Sequence, residues 1–272
     1  MDANRLKYAS DSPTSTPLSP SAPGLWQATG LIALYFVQQL AIYSMIILCG
    51  GALDVLHHGG GVADIIPRGR AWIDHSDVSA TVVIVTLLIS AGIIVHFTRR
   101  WWPTLWAMPQ PPGLGFTSPN LPIIYLAALV LGALMPVVGG LLTQWLAQGH
   151  EVSQDIKQLG ANIPLQLRVP LALLVVSVGP LVEELLFRGV LLSAISRYVG
   201  NGWAIGLTAV LFACVHLPDL SYLWYAVPNL ALLGLVLGWL RVQSGSIWPS
   251  VLAHGMNNML AVVSWFVMTS GS

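Results

Sequence analysis

Glu183-Glu184 with Arg188, then His216, then His254 with Asn257 and Asn258, interrupt otherwise apolar stretches in the second half of this chain. Ionisable groups in lipid-compatible segments are expensive, so they are functional candidates by default. Glu184 and Arg188 stand four apart and share a helix face, where they can pair. Glu183 projects about 100° away and is left without that partner. The spacing therefore divides the labour: Glu184–Arg188 as an ion pair, Glu183 facing a cavity. His254 and Asn258 share a second face, four residues apart. Pro180 removes a backbone donor and is expected to break or kink its helix, leaving Glu183 in the first turn of the restarted segment.

A carboxylate beside an imidazole can take a proton from water, which then attacks a carbonyl. His254 and Asn258 could then donate to the developing oxyanion. Alternatively, Glu183, His216 and His254 could bind a divalent metal such as zinc, which would acidify the water instead. Both routes end in amide hydrolysis. The sequence has no G-x-S-x-G and no H-E-x-x-H, which disfavours serine and zincin mechanisms. Taken singly, each polar group could instead be interhelical hydrogen-bonding glue. Depth argues otherwise. At about 1.5 Å per residue, Glu183 lies roughly 20 Å from Arg197, His216 roughly 20 Å from Trp203, and His254 roughly 12 Å from Ser246. All three can meet in one zone of a hydrocarbon core of about 30 Å.

The elements that must position these groups are membrane spans. Of 272 residues, 55% are hydrophobic and 8% charged, against about 25% charged in soluble domains, so lipid must be the solvent for most of the chain. Net charge is zero, and no basic face suggests nucleic acid. Residues 1–24 read as a short disordered cytoplasmic tail without a signal-peptide core. Seven apolar runs follow: 25–51, 78–97, 121–146, 167–197, 203–217, 222–240 and 247–268. The expected fold is all-α, a polytopic bundle of about seven spans with its active site inside. It divides into N-terminal transmembrane helices (25–150) and a catalytic helical core (165–268). Residues 52–77 read as a mixed loop, with His57-His58 and three glycines forming a flexible outer segment. His96 sits at a helix end, where snorkelling explains it. Cys49 and Cys214 read as small buried hydrophobes, and the tryptophans near run ends as an aromatic belt. With the N-terminus cytoplasmic, Arg5, Lys7, Arg99, Arg100, Arg197 and Arg241 fall inside and Arg68, Arg70, Lys157 and Arg168 outside, in the sense of the positive-inside rule.

In their order and spacing these residues resemble the CPBP intramembrane proteases. That family includes the type II CAAX prenyl endopeptidases and bacterial homologues linked to bacteriocin processing and self-immunity. The resemblance covers about residues 165–268. Its E-E-x-x-x-R is Glu183, Glu184 and Arg188; its F-x-x-x-H is Phe212 and His216; its H-x-x-x-N is His254 and Asn258. Gly234 to Pro249 also looks like the family's segment before the last motif. The resemblance implies that Glu183 and His216 activate water, that His254 and Asn258 serve as oxyanion donors, and that Glu184, Arg188 and Phe212 support them. The family is named for metalloproteases, while a metal-independent glutamate mechanism is also argued for it. The expectation here is an enzyme without a tightly bound metal, working on a membrane protein or peptide in a bacterial inner membrane. The competing readings are a non-catalytic immunity or scaffold protein of the same fold and, further off, a transporter.

Overall fold

The computed structural model describes residues 22–149 and 163–267. Expectations for residues 1–21, 150–162 and 268, including the tail and the placement of Arg5, Lys7 and Lys157, lie outside the described residues. Every regular element among the described residues is helical. Short 3-10 turns aside, they are in chain order α1 (Leu25–His58), α2 (Ile65–Ile73), α3 (Ser76–Trp101), α4 (Ile124–Ala147), α5 (165–199), α6 (201–215), α7 (Val227–Ser244) and α8 (Trp248–Val267). Five helical stretches are long and apolar enough to cross a membrane: Leu25–His58, Ser76–Trp101, Ile124–Ala147, Leu165–Val215 and Trp224–Ser244. The 51-residue stretch makes two passes, because Gly200 leaves helical geometry at φ 76° and ψ 167°. That left-handed φ is open to glycine at no steric cost. With α8, the described residues make seven helical passes, as the hydropathy pattern predicts. It is an integral membrane protein.

α1 is 34 residues long, about 50 Å at the standard rise, so it overshoots a core of about 30 Å. Its surplus receives α2, which folds back across its end. Two glycines make the crossing possible. A Cβ on Gly51 would lie 1.8 Å from the Ile65 carbonyl oxygen, and one on Gly69 would lie 2.1 Å from that of Ile47. Small residues allow such close backbone approach between membrane helices. Arg68 Nη1 donates to Asp54 Oδ2 at 2.9 Å, and His58 Nδ1 lies 3.0 Å from Asp54 Oδ1. Residues 52–77 are thus mostly helix, not loop. The nine residues of α2 carry two arginines and a proline, which hides them from a search for spans.

Arg168 and Arg241, read above as loop charges, are both buried. Arg168 donates to the carbonyls of Trp265 and Ile163. Arg241 donates to those of Pro109 and Gly113, pinning the α3–α4 connection to the end of α7. The aromatic belt is partial: Trp26, Trp145 and Trp203 are exposed at helix ends, whereas Trp102 and Trp106 are packed inside. Cys49 and Cys214 are exposed, not buried; on apolar helices in a membrane, an exposed thiol faces lipid.

The core surrounds α5. Leu185, Leu186, Phe187, Val190 and Leu191 are almost fully inaccessible and meet Phe212, Leu233, Leu237 and Ala253 from α6, α7 and α8. The pairings fix the helix directions. Phe187 stacks edge-on with Phe212, their ring centroids 5.2 Å apart. Gly234 abuts Ala209, and Gly238 abuts Ile205, so α6 and α7 are antiparallel. α5 and α7 therefore run in the same direction. α4 packs on α8 through Gly132, where a Cβ would lie 2.4 Å from the Ala253 carbonyl oxygen.

Candidate active site

α5 is not a uniform α-helix. Leu174–Val178 and Leu185–Leu191 are wound as π-helix, flanking an α-helical Gly179–Glu184 with Pro180 in its first turn. Pro180 thus causes no break: its missing donor falls where the preceding π-turn hands over to a new α-segment, and the backbone stays helical. π-turns of this kind cluster at functional sites. Glu183 and Glu184 sit at the end of that short segment and point in different directions.

Glu184 points into the protein and is fully buried, as is Arg188. Its Oε1 accepts from Arg188 Nη1 at 3.0 Å and from His254 Nδ1 at 3.0 Å. Arg188 also donates through Nη2 to the Gly234 carbonyl at 3.2 Å, and its guanidinium carbon lies 4.4 Å from the Phe212 ring centroid. The ion pair expected from the i,i+4 spacing is present. The contact to His254 is additional, and nothing in the local spacing could announce it, since 70 residues separate the partners.

Glu183 points the other way, onto the wall of a cavity of about 1220 Å³. Its side chain is 22% exposed. Glu183 Oε2 lies 3.7 Å from His216 Nε2 and 3.7 Å from His254 Nε2. His216 caps the C-terminus of α6, and its Nδ1 donates to the Phe212 carbonyl at 2.7 Å. A carbonyl only accepts, so Nδ1 carries the proton and a neutral His216 presents an Nε2 lone pair toward Glu183. Phe212 touches both imidazoles: its ring centroid is 4.7 Å from that of His216 and 5.7 Å from that of His254. One carboxylate and two imidazoles from α5, α6 and α8 therefore meet at one wall. At 3.7 Å neither contact is a direct hydrogen bond, and such a separation suits a bridging water.

Asn258 lines the same cavity, one turn beyond His254. Its Nδ2 donates to the Val175 carbonyl at 3.0 Å, and its Oδ1 accepts from Asn257 Nδ2 at 3.1 Å. An amide nitrogen carries two hydrogens, so one remains for another acceptor. Sequence reasoning missed Asn229 and Tyr35, which also line the cavity. Asn229 left a trace, as a lone carboxamide in an apolar run. Tyr35 on α1 left none, because tyrosines are ordinary in such helices.

The donor types of Glu183, His216 and His254 suit a zinc ion. Their arrangement does not: among the described residues no group of three or more His, Cys, Asp and Glu side chains is disposed to hold a metal. No step below is routed through a metal.

Comparison with known proteins supports the same half of the chain. A protein of Bacillus subtilis (strain 168) named "Putative membrane peptidase YdiL" is 31% identical over 96 residues. That match spans 35% of this chain and 37% of the relative, so the likeness covers little more than a third of either. No solved structure matches. The family model described as type II CAAX prenyl endopeptidase Rce1-like matches residues 165–260, the stretch that carries Glu183, Glu184, Arg188, Phe212, His216, His254 and Asn258.

Proposed function

We propose that this protein is an intramembrane endopeptidase that hydrolyses a peptide bond of a membrane-associated protein or peptide with water activated by Glu183 and His216. The observation carrying this reading is the approach of Glu183 Oε2 to two imidazole Nε2 atoms from separate helices, at 3.7 Å each, on the wall of a large cavity. The match to a prenyl endopeptidase family and the name of the bacterial relative support it.

In this mechanism a water between Glu183 and His216 directs one O–H to the carboxylate and the other to the His216 Nε2 lone pair. The water oxygen forms the new bond to the carbonyl carbon as Glu183 takes its proton. His254 and the remaining N–H of Asn258 donate to the oxyanion. His254 already gives its Nδ1 hydrogen to Glu184, so donation from Nε2 requires the imidazolium; its charge and that of Arg188 are matched by the two carboxylates Glu183 and Glu184. The C–N bond then breaks, and Glu183 returns its proton to the departing nitrogen. Enclosure by apolar helices strengthens each of these electrostatic contacts. The Glu184–Arg188 pair and Phe212 act as positioning groups for His254 and His216.

The setting we infer is a bacterial plasma membrane with the N-terminus cytoplasmic, which puts Arg99 and Arg100 on the cytoplasmic side. The experiment compares membrane-protein fragments in cells carrying the wild type and Glu183→Gln at matched levels. New termini that require Glu183 are expected; identical fragment sets would refute the reading.

A further inference from the structure

We propose that Asn229 anchors the substrate's backbone, its carboxamide hydrogen-bonding one peptide group of the segment that lies in the cavity beside Glu183. The inference rests on the hydrolytic reading above and goes beyond it by assigning a binding residue outside the three motifs.

Helix register sets the level of Asn229. α5 and α7 run in the same direction, and Arg188 Nη2 reaches the Gly234 carbonyl between them. Five residues back from each partner stand Glu183 and Asn229, so at about 1.5 Å per residue the two share a level in the bundle. The route through α6 agrees within about a turn: Phe187 meets Phe212, and Ala209 meets Gly234. α8 gives a third bearing. Ser250 Oγ donates to the Leu237 carbonyl. In that antiparallel pair, eight residues on along α8 and eight back along α7 bring Asn258 opposite Asn229.

The surroundings hold the side chain still and leave it available. Asn229 lies over Gly139 of α4, where a Cβ would come within 1.7 Å of its Oδ1. Only glycine leaves that notch open. Asn229 lines the cavity, and among the described residues its carboxamide has no hydrogen-bond partner. Asn257 and Asn258, by contrast, are tied to each other and to Val175. A peptide entering this cavity leaves water and must find partners for its N–H and C=O groups, because an unpaired peptide group out of water is costly. A carboxamide can donate and accept, so it suits a backbone of any sequence.

The test uses the full-length protein in detergent and, as probe, a synthetic peptide spanning the cut identified by the wild-type and Glu183→Gln comparison. An ester replaces each peptide linkage in turn, the scissile one excepted; an ester lacks the N–H and its carbonyl is the poorer acceptor. For the wild type, kcat/KM should drop about tenfold at one linkage beside the cut, the effect of losing a hydrogen bond of about 1.4 kcal/mol. The drop should appear mainly in KM, as expected for uniform binding. Asn229→Leu, and Asn229→Ser as the smaller alternative, should be insensitive to the ester at that linkage while keeping the penalties at others. A variant that merely loosens the bundle would lose activity against every peptide alike. If the wild type shows no linkage-specific penalty, or the variants retain it, Asn229 is not the anchor although hydrolysis stands. If the wild type makes no Glu183-dependent cut, the hydrolytic reading itself fails.

Discussion

Glu184 is the residue whose removal separates stability from chemistry. It and Arg188 are wholly inaccessible and 3.0 Å apart. At an effective dielectric near 20, two unit charges at that distance attract by about 5 kcal/mol. Desolvation offsets much of this, yet removing one partner strands the other charge, at a measured cost of about 3–5 kcal/mol. Glu184→Leu should therefore lose that amount, a large part of a typical stability of about 5–15 kcal/mol. The double variant Glu184→Leu/Arg188→Met removes both charges and should regain most of the loss, because buried pairs are replaceable by apolar side chains. Activity should not return with it. His254 Nδ1 would have lost its acceptor, and loss of a carboxylate that orients an imidazole costs about 10²-fold or more. The assay pairs equilibrium unfolding in mixed detergent micelles with cleavage rates of the folded fraction. A double variant that recovered full activity together with stability would show that the Glu184–His254 contact has no bearing on catalysis. A single variant as stable as its parent would refute the energetic argument.

Three further outcomes follow from the geometry. Glu183→Gln should lower the cleavage rate about 10²–10⁴-fold, the usual reach of a general base, while the unfolding midpoint stays within a degree or so of wild type, because this carboxylate faces the cavity and makes no hydrogen bond among the described residues. Incubating the purified protein with EDTA, followed by metal analysis, should leave its rate within about twofold; loss of activity restored by added zinc would contradict the metal-free mechanism. Gly69→Ala should cost about 1–3 kcal/mol, as overpacking does, because its Cβ would lie 2.1 Å from the Ile47 carbonyl oxygen. Faster amide exchange confined to α2 and the facing end of α1 would report it.

The apolar runs announced the seven passes because lipid demands both length and hydropathy, and both are local properties. α2 escaped notice because a nine-residue amphipathic helix owes its structure to glycine contacts with a distant segment, not to its own composition. Glu184 and Arg188 were legible as a pair because helix periodicity brings them together. The same periodicity turned Glu183 away from them, onto the cavity wall. The depth estimate brought Glu183, His216 and His254 into one zone, but it could not say which nitrogen of each imidazole faces the carboxylate. That detail depends on the Phe212 carbonyl and on Glu184, which act through tertiary contacts. The arginines misled for the same reason: Arg168 and Arg241 look like loop charges until the carbonyls they bind are known. The cysteines misled because, in a chain dissolved in lipid, apolar surroundings do not mean the interior of the protein.

The most direct measurement is made on purified material. Wild type and Glu183→Gln, reconstituted separately into liposomes, are each given the membrane protein whose fragments distinguish them in cells, and the new termini are read by mass spectrometry. The account predicts one defined cut with the wild type and none with the variant, at equal folded protein. Cutting that persists in Glu183→Gln, or a wild type that leaves the substrate intact, would contradict it.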